Sequence, residues 1–509
     1  MRKYVIVVCL LLFCPPLPPV LGIATPPPWP NNTTVRHLVE EILPNTTKKW
    51  DGYSYAQQDT RGATYIAAGL LWRNGLYDLI AAESILKAVL DLQYSEPLGV
   101  WKRYQGEPGY DANWREFVGC GLVIILETFS DRLPVHLVDN MKIALLRAAQ
   151  GALKRNVPPQ WTNIALLNAF LLDYVGTIQK REDMQKAGRN KAEGIWTLFS
   201  HQKTFNEYNS PTYYGTDLLA LALWRKFARS DRMRVLGELM EADLWRDIGT
   251  FYNAEMKNMC GPFGRAYGMD MTKYYSLIGL WISLAISDNP ASMPWPVNEG
   301  RHSIDRCYAP IFALLKPNIP KNELSDFKYF TGPREFERIV NDQKITVLIH
   351  KNLMMGATEI PQGLPPRWEQ YCPATIYWRV SSGRPVGWIL LSGDNEQGII
   401  SVINKGHLLI RRRSKSKETI RFLIYPPDLA PAIISQVQWA LPGLLVKVQS
   451  AIGVVLKSVH LIEHKYYGGC LEVLYSVNCD VASDIPLLTL WPQNVADKGA
   501  NDNINRELN

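Results

Sequence analysis

Four short clusters place amide, phenol and guanidinium groups beside aromatic rings. They are Asp111-Ala112-Asn113-Trp114, Gln160-Trp161-Thr162-Asn163, Phe205-Asn206-Glu207-Tyr208-Asn209-Ser210-Pro211-Thr212-Tyr213-Tyr214-Gly215 and Arg265-Ala266-Tyr267. Asn113, Asn163, Tyr213 and Tyr267 stand 50, 50 and 54 residues apart, each near a predicted helix start. A first helical turn leaves backbone N–H groups unpaired at the positive end of the dipole, so a carboxylate is favoured there. Aromatic rings for stacking, with amide and guanidinium partners for carboxylates, are what an acidic sugar polymer requires. The bland alternatives are a capped helix with aromatic packing at 205–215 and a simple helix cap at Asn163 after Pro158-Pro159.

Two kinds of element must position these clusters. From Val35 to Asp288 apolar residues recur at helical spacing: Trp114, Val118 and Ile125 share one face, Ile164, Leu167 and Leu171 another, and Leu219, Leu223 and Phe227 a third. Segments such as Arg155-Asn156-Val157-Pro158-Pro159 and Asn258-Met259-Cys260-Gly261-Pro262 read as helix stops. The step between clusters fits one helical hairpin. In a ring of antiparallel hairpins every second helix starts at the same end, so all four clusters would rim one face. From Phe327 onward the period becomes two, as where Leu444, Val446 and Val448 alternate with Leu445, Lys447 and Gln449. Helices segregated from strands exclude a βαβ design. The expected fold is α+β and multidomain. After a Pro-rich lead-in over 23–34 come an incomplete (α/α) toroid over 35–288, a connection over 289–326 and a C-terminal antiparallel β-sandwich over 327–509.

The 509 residues are 47% hydrophobic and 20% charged, with 16 Trp, 24 Tyr and 14 Phe, values that exclude disordered, collagenous and coiled-coil classes. Lys and Arg outnumber Asp and Glu by 55 to 48, and the resulting +7 is spread along the chain. That balance suits an anionic small partner or polymer, or simply a solvated basic surface, and does not by itself point to nucleic acid. The run Arg411-Arg412-Arg413-Ser414-Lys415-Ser416-Lys417 reads either as a grip on a polyanion or as a solvated hairpin end. Arg2-Lys3, the apolar stretch Tyr4 to Phe13 and the small residues around Val20-Leu21-Gly22 follow the order of a secretory signal over 1–22, too short to span a bilayer comfortably. A secreted, extracellular monomer without a membrane partner is expected, with glycans at the sequons of Asn31, Asn32 and Asn45. Export permits disulfides among Cys120, Cys260, Cys307, Cys372, Cys470 and Cys479, in a pairing that spacing leaves open. No His/Cys spacing suits a metal site, and no cofactor is expected.

The segment from Phe205 to Tyr213 resembles one in which a Glu, then Ser-Pro, precede a tyrosine acid or base. Trp161-Thr162-Asn163 resembles a helix start whose Asn neutralises a uronate carboxylate. Both belong to polysaccharide lyases built of an (α/α) toroid and a β-sandwich: the hyaluronate/chondroitin, alginate and heparinase II/III-like lyases. The likeness of organisation covers nearly the whole mature chain. It implies a secreted lyase cleaving a uronic-acid-containing polysaccharide by β-elimination. Asn163, helped by Asn113, would hydrogen-bond the carboxylate and stabilise an enolate-like intermediate. Tyr213, its pKa lowered by Arg265, would take the C5 proton and return one to O4. Arg265 would bind an acidic group, Tyr214 and Tyr267 would support or stack, and Trp114, Trp161, Glu207 and His407 would contact substrate. Relatives often carry His where this chain has Ile164 and Tyr214, so an imidazole would have to come from His201 or His407. Competing readings are a glycoside hydrolase using Asp111 and Glu207, a uronate epimerase, and a non-catalytic carbohydrate-binding protein. The bland alternative for Arg265 itself is a structural bridge to Asp270 or Glu255.

Overall fold

Helices that are apolar on every side alternate with helices apolar on one side, and this alternation builds the N-terminal half. The computed structural model describes residues 26–46, 50–286, 292–295, 300–359, 370–380, 386–392, 399–412, 418–425, 433–478 and 484–494. The expected signal segment, residues 413–417 of the basic run and Cys479 lie outside the described residues. After α1 (Thr33–Glu40) and α2 (Gly52–Ala56) come four hairpins: α3 (Thr60–Arg73) with α4 (Asp78–Asp91), α5 (Trp114–Phe129) with α6 (Val135–Arg155), α7 (Thr162–Ile178) with α8 (Glu182–Gln202), and α9 (Tyr213–Phe227) with α10 (Asp231–Phe251). In α7, 15 of 17 residues are buried. In α8 only 6 of 21 are, spaced as Met184, Gly188, Lys191, Ala192, Ile195 and Phe199 along one stripe. The first kind is therefore interior and the second faces solvent. Asn74 and Asn156 end α3 and α6 in left-handed conformations, which Asn tolerates better than most residues.

The interior helices touch in series, α3 to α5, α5 to α7 and α7 to α9. Trp224 of α9 donates its indole N–H to the Leu166 carbonyl of α7 at 3.0 Å. α11 (Leu277–Ile286) then packs on α9, and Trp281 stacks on Phe312 of α12 (Ala309–Leu315) at 4.1 Å. α12 also contacts α3 and α9. Together with α13 (Leu324–Lys328) it occupies the stretch read as a connection, so helical packing extends past the boundary drawn at 288. Gly215 permits the α9–α11 approach: a Cβ there would lie 2.2 Å from Leu277 Cβ and 2.6 Å from its carbonyl carbon. Gly215→Ala is expected to destabilise the protein by about 1–3 kcal/mol, because neither backbone can yield cheaply. A lowered midpoint in urea denaturation would register this, and an unchanged midpoint would contradict the packing.

The C-terminal half is antiparallel throughout. After the short pair β1 (Tyr252–Asn253) and β2 (Asn258–Met259), its strands are β3 (Arg334–Val340), β4 (Gln343–Ile349), β5 (Leu353–Glu359), β6 (Ala374–Arg379), β7 (Val386–Leu391), β8 (Ile399–Asn404), β9 (His407–Arg412), β10 (Glu418–Tyr425), β11 (Gln438–Leu441), β12 (Leu444–Ser450), β13 (Val454–His464), β14 (Gly468–Val477) and β15 (Pro486–Asn494). They form an eight-stranded sheet, β13-β14-β10-β7-β6-β5-β4-β3, and a five-stranded sheet, β11-β12-β15-β9-β8. Asn341-Asp342 and Lys405-Gly406 take the paired positive φ values of tight hairpin turns. Alternation decides which layer each residue meets. In β7, Ile389 and Leu391 join the core between the sheets, while Trp388 and Leu390 join the core shared with the helices. Phe422 meets Trp439 across the sandwich at 5.3 Å. On the helical side Phe336 packs on Phe251 at 5.5 Å, and Arg338 pairs with Asp247.

Cys120, Cys260, Cys307, Cys372 and Cys470 are buried, and the expectation of disulfides finds no bridge among the described residues. Asn31, Asn32 and Asn45 are exposed, and Asn32 caps α1 by accepting from the Val35 N–H.

Candidate functional site

The starts of α5, α7 and α9 converge on one cavity of about 780 Å³, whose lining includes Asn113, Asn163, Tyr213, Arg265 and Tyr267. Asn113, Asn163 and Tyr213 come from a helix's first turn or the residue before it, so hairpin periodicity brings together residues fifty positions apart, whereas Arg265 and Tyr267, expected near a helix start, reach the cavity from the loop between β2 and α11. Asn113 precedes α5 and accepts at Oδ1 from Arg155 at 2.8 Å. Its carbonyl is thereby tied back, leaving the amide N–H₂ as the donor for the cavity. Arg155 also reaches buried Glu116 at 3.3 Å, which accepts from Asn168 at 3.0 Å. Asn163, the second residue of α7, is only 6% exposed, and its side chain makes no hydrogen bond among the described residues. Its amide therefore faces the cavity with its hydrogen-bonding capacity free for a ligand.

Ser210 locks the other side of the cavity. Its hydroxyl donates to the Arg265 carbonyl at 2.6 Å and accepts from the Tyr213 N–H at 3.0 Å, fixing the two residues relative to each other. The Tyr213 and Tyr267 hydroxyls share a hydrogen bond at 2.7 Å. The Arg265 guanidinium lies 4.5 Å from the centre of the Tyr213 ring and pairs with Glu207 at 3.2 Å, while its Nε donates to Gln370 beside the sandwich. Glu255 pairs instead with Arg379. Burial pushes the Tyr213 phenol well above its ordinary range and Tyr267 adds to this, outweighing the opposing pull of Arg265. The expectation of a phenol acidified by Arg265 is therefore corrected: Tyr213 is held protonated. Burial likewise raises the Glu207 carboxyl, against Arg265.

Trp114 lines the cavity under the Arg61 guanidinium at 5.0 Å. Trp161 stands at the rim, 57% exposed, with Arg155 5.9 Å from its ring centre. Two expected substrate contacts lie elsewhere. Tyr214 follows Tyr213 by one helical residue, turns into the core and is fully buried, its hydroxyl bonded to Asp247 at 2.9 Å and to Thr204. His407 begins β9 in the five-stranded sheet and meets Trp491 edge-on at 5.5 Å. His201 is exposed in the last turn of α8, outside the cavity lining.

The imidazole in the cavity is His302, which sequence reasoning missed. It precedes the 3₁₀ turn Ser303–Tyr308, within the stretch read as a connection, and adopts a left-handed backbone with φ 55°. Its ring stacks on Tyr267 at 5.2 Å. Burial lowers its pKa below the ordinary 6.5, with Asp305 opposing and Arg301 assisting. Arg61 was also missed; it pairs with Asp305 at 3.2 Å and bonds the Tyr308 hydroxyl at 3.2 Å. Arg155 carried a signal, since it ends α6 just before the turn that leads to Trp161. His302 carried none in spacing. Among the described residues no cluster of His, Cys, Asp and Glu could hold a metal ion, and no helix is long and apolar enough to cross a membrane.

Among solved structures, the chain is similar to heparinase III, with a TM-score of 0.46 and 10% identity over 88% of this chain and 79% of that one. It is also similar to the chondroitin AC lyase of Streptomyces coelicolor A3 in complex with chondroitin sulphate, with a TM-score of 0.46 and 10% identity over 92% of this chain and 79% of that one. No match is found among the curated proteins. Residues 47–317, from before α2 to just past α12, match the family described as Domain of unknown function (DUF8769), and the chain belongs to that family.

Proposed function

We propose that this protein is a secreted lyase that cleaves a uronic-acid-containing polysaccharide by β-elimination, its hairpins forming an incomplete (α/α) toroid around the catalytic cleft. The observation that carries the reading is the shared cavity: an unpartnered amide at Asn163 and a protonated phenol at Tyr213 face the same space, with an imidazole at its wall. Asn163 and the N–H₂ of Asn113 donate to the uronate carboxylate, so charge arriving there from C5 is stabilised. His302, neutral because its site is buried, removes the C5 proton. The C5 electron pair forms the C4–C5 double bond as the C4–O4 bond breaks, and Tyr213 protonates the departing O4. Solvent then returns a proton to Tyr213 and takes one from His302. Trp161 offers an exposed ring to a flanking sugar.

This division of labour sets a pH profile. His302 must be neutral and its pKa lies below 6.5, so kcat/KM should rise with pH through an acid limb below that value. Tyr213 must be protonated and its pKa lies above 10.0, so no alkaline limb from the phenol should appear below that value. A rate that instead rises through the alkaline range would identify a phenolate base and contradict the assignment. The activity itself is tested by exposing the protein to glucuronan, alginate, pectate, hyaluronan and heparan while following the ultraviolet absorbance of an unsaturated uronate. Growth of that absorbance with one polymer is expected, and its absence with all five overturns the reading. A hydrolase reading retains one support, since Asp111 and Glu207 line the same cavity.

A further inference from the structure

The wall made by Tyr267 and His302 has a second side. Tyr466, in the turn between β13 and β14, stacks on Tyr267 at 6.1 Å. Beyond it lies a separate cavity of about 240 Å³ where the helical region meets the eight-stranded sheet. Arg301 lines this second cavity and the next residue, His302, lines the first, so the two spaces are neighbours along one wall. Trp388 and Tyr425 stack on each other at 5.6 Å in its lining. Trp388 is buried, while Tyr425 and Tyr466 are half-buried and present rings that a sugar could cover. Asp270 is 4% exposed: its Oδ1 accepts from Asn258 and Thr272, but its buried Oδ2 has no partner. Lys273 is exposed at the mouth. The Arg301 guanidinium reaches Glu463 at 3.4 Å and the carbonyls of His464 and Lys465 at 3.4 and 3.1 Å, contacts that hold it at the edge of the cavity. Flat rings, a buried oxygen awaiting a hydroxyl and two cations are the parts of a site for an acidic pyranose. The volume falls under the roughly 300–1,000 Å³ of larger ligand pockets, which suits one ring.

We infer that this cavity is a remote subsite for an acidic sugar ring of the same polymer whose uronate occupies the first cavity, with Tyr425 and Tyr466 taking the ring face, Asp270 a hydroxyl, and Lys273 and Arg301 the acidic substituent. The inference rests on the elimination reading for the choice of polymer. The probes are disaccharide and hexasaccharide fractions of hyaluronan, alginate and heparan, titrated calorimetrically into the full chain and into Lys273→Gln and Tyr425→Leu. The best-bound hexasaccharide should lose about tenfold in affinity in Lys273→Gln, the loss of one charge-assisted contact, and the disaccharide much less. Lys273 is exposed, so this variant decides even if Tyr425→Leu folds poorly. Hexasaccharide affinity unchanged in Lys273→Gln, with unsaturated product still formed by the parent, overturns this inference and leaves elimination standing. A length-dependent loss without any unsaturated product overturns elimination and supports the subsite. Failure of the parent to bind any of the fractions overturns both.

Discussion

Tyr213→Phe is expected to lower kcat on the polymer by about a thousandfold while leaving KM nearly unchanged, the size of effect seen when a positioned general acid is removed. The ring and its contact with Arg265 survive, and only the hydroxyl shared with Tyr267 is lost. Stability should therefore change by no more than about 1 kcal/mol. The assigned role makes a sharper demand. A uronate bearing a phenol as its O4 leaving group needs little protonation, so the variant should recover most of its rate on such a substrate. Equal losses on polymer and aryl substrate would mean that Tyr213 acts by holding the cavity in shape.

Asn163→Ala should reduce kcat by about a hundredfold to a thousandfold, the range for removing one donor to developing negative charge. Since the Asn163 side chain hydrogen-bonds to no other described residue, the fold has little to lose, and thermal denaturation should show a shift near zero. The defect should depend on the carboxylate. On a methyl-esterified polymer, where the carboxyl group no longer carries charge, the gap between parent and variant should narrow. A gap of the same size on esterified and free polymer would remove Asn163 from the carboxylate and leave it only a part of the cavity wall.

Sequence periodicity brought Asn113, Asn163 and Tyr213 to one cavity because they repeat with the hairpin. Asn113, Asn163 and Tyr213 each sit at the start of an interior helix, and a helix apolar all round, such as α7, can only be interior. The change to period two announced the strands for the same geometric reason, since alternate residues of β7 serve different cores. What escaped was set by tertiary structure. His302 reaches the cavity from a 3₁₀ turn whose place depends on α12 packing against α3 and α9, and no local pattern encodes that contact. The sense of the Tyr213 shift was misjudged because nearness to Arg265 is legible in the chain while burial is not, and burial dominates. Tyr214 was drawn into the site by adjacency, although one helical step of about 100° carries it into the core.

The central claim is that bond cleavage in this cavity follows removal of a carbon-bound proton and not attack by water. Digestion of the active polymer in heavy-oxygen water, followed by mass spectrometry of the fragments, tests it most directly. Elimination predicts one fragment of each pair carrying an unsaturated uronate and no solvent oxygen in either. Saturated fragments, with one solvent oxygen gained at each cleaved bond, would contradict it and assign the cavity's carboxylates, Asp111 and Glu207, to hydrolysis.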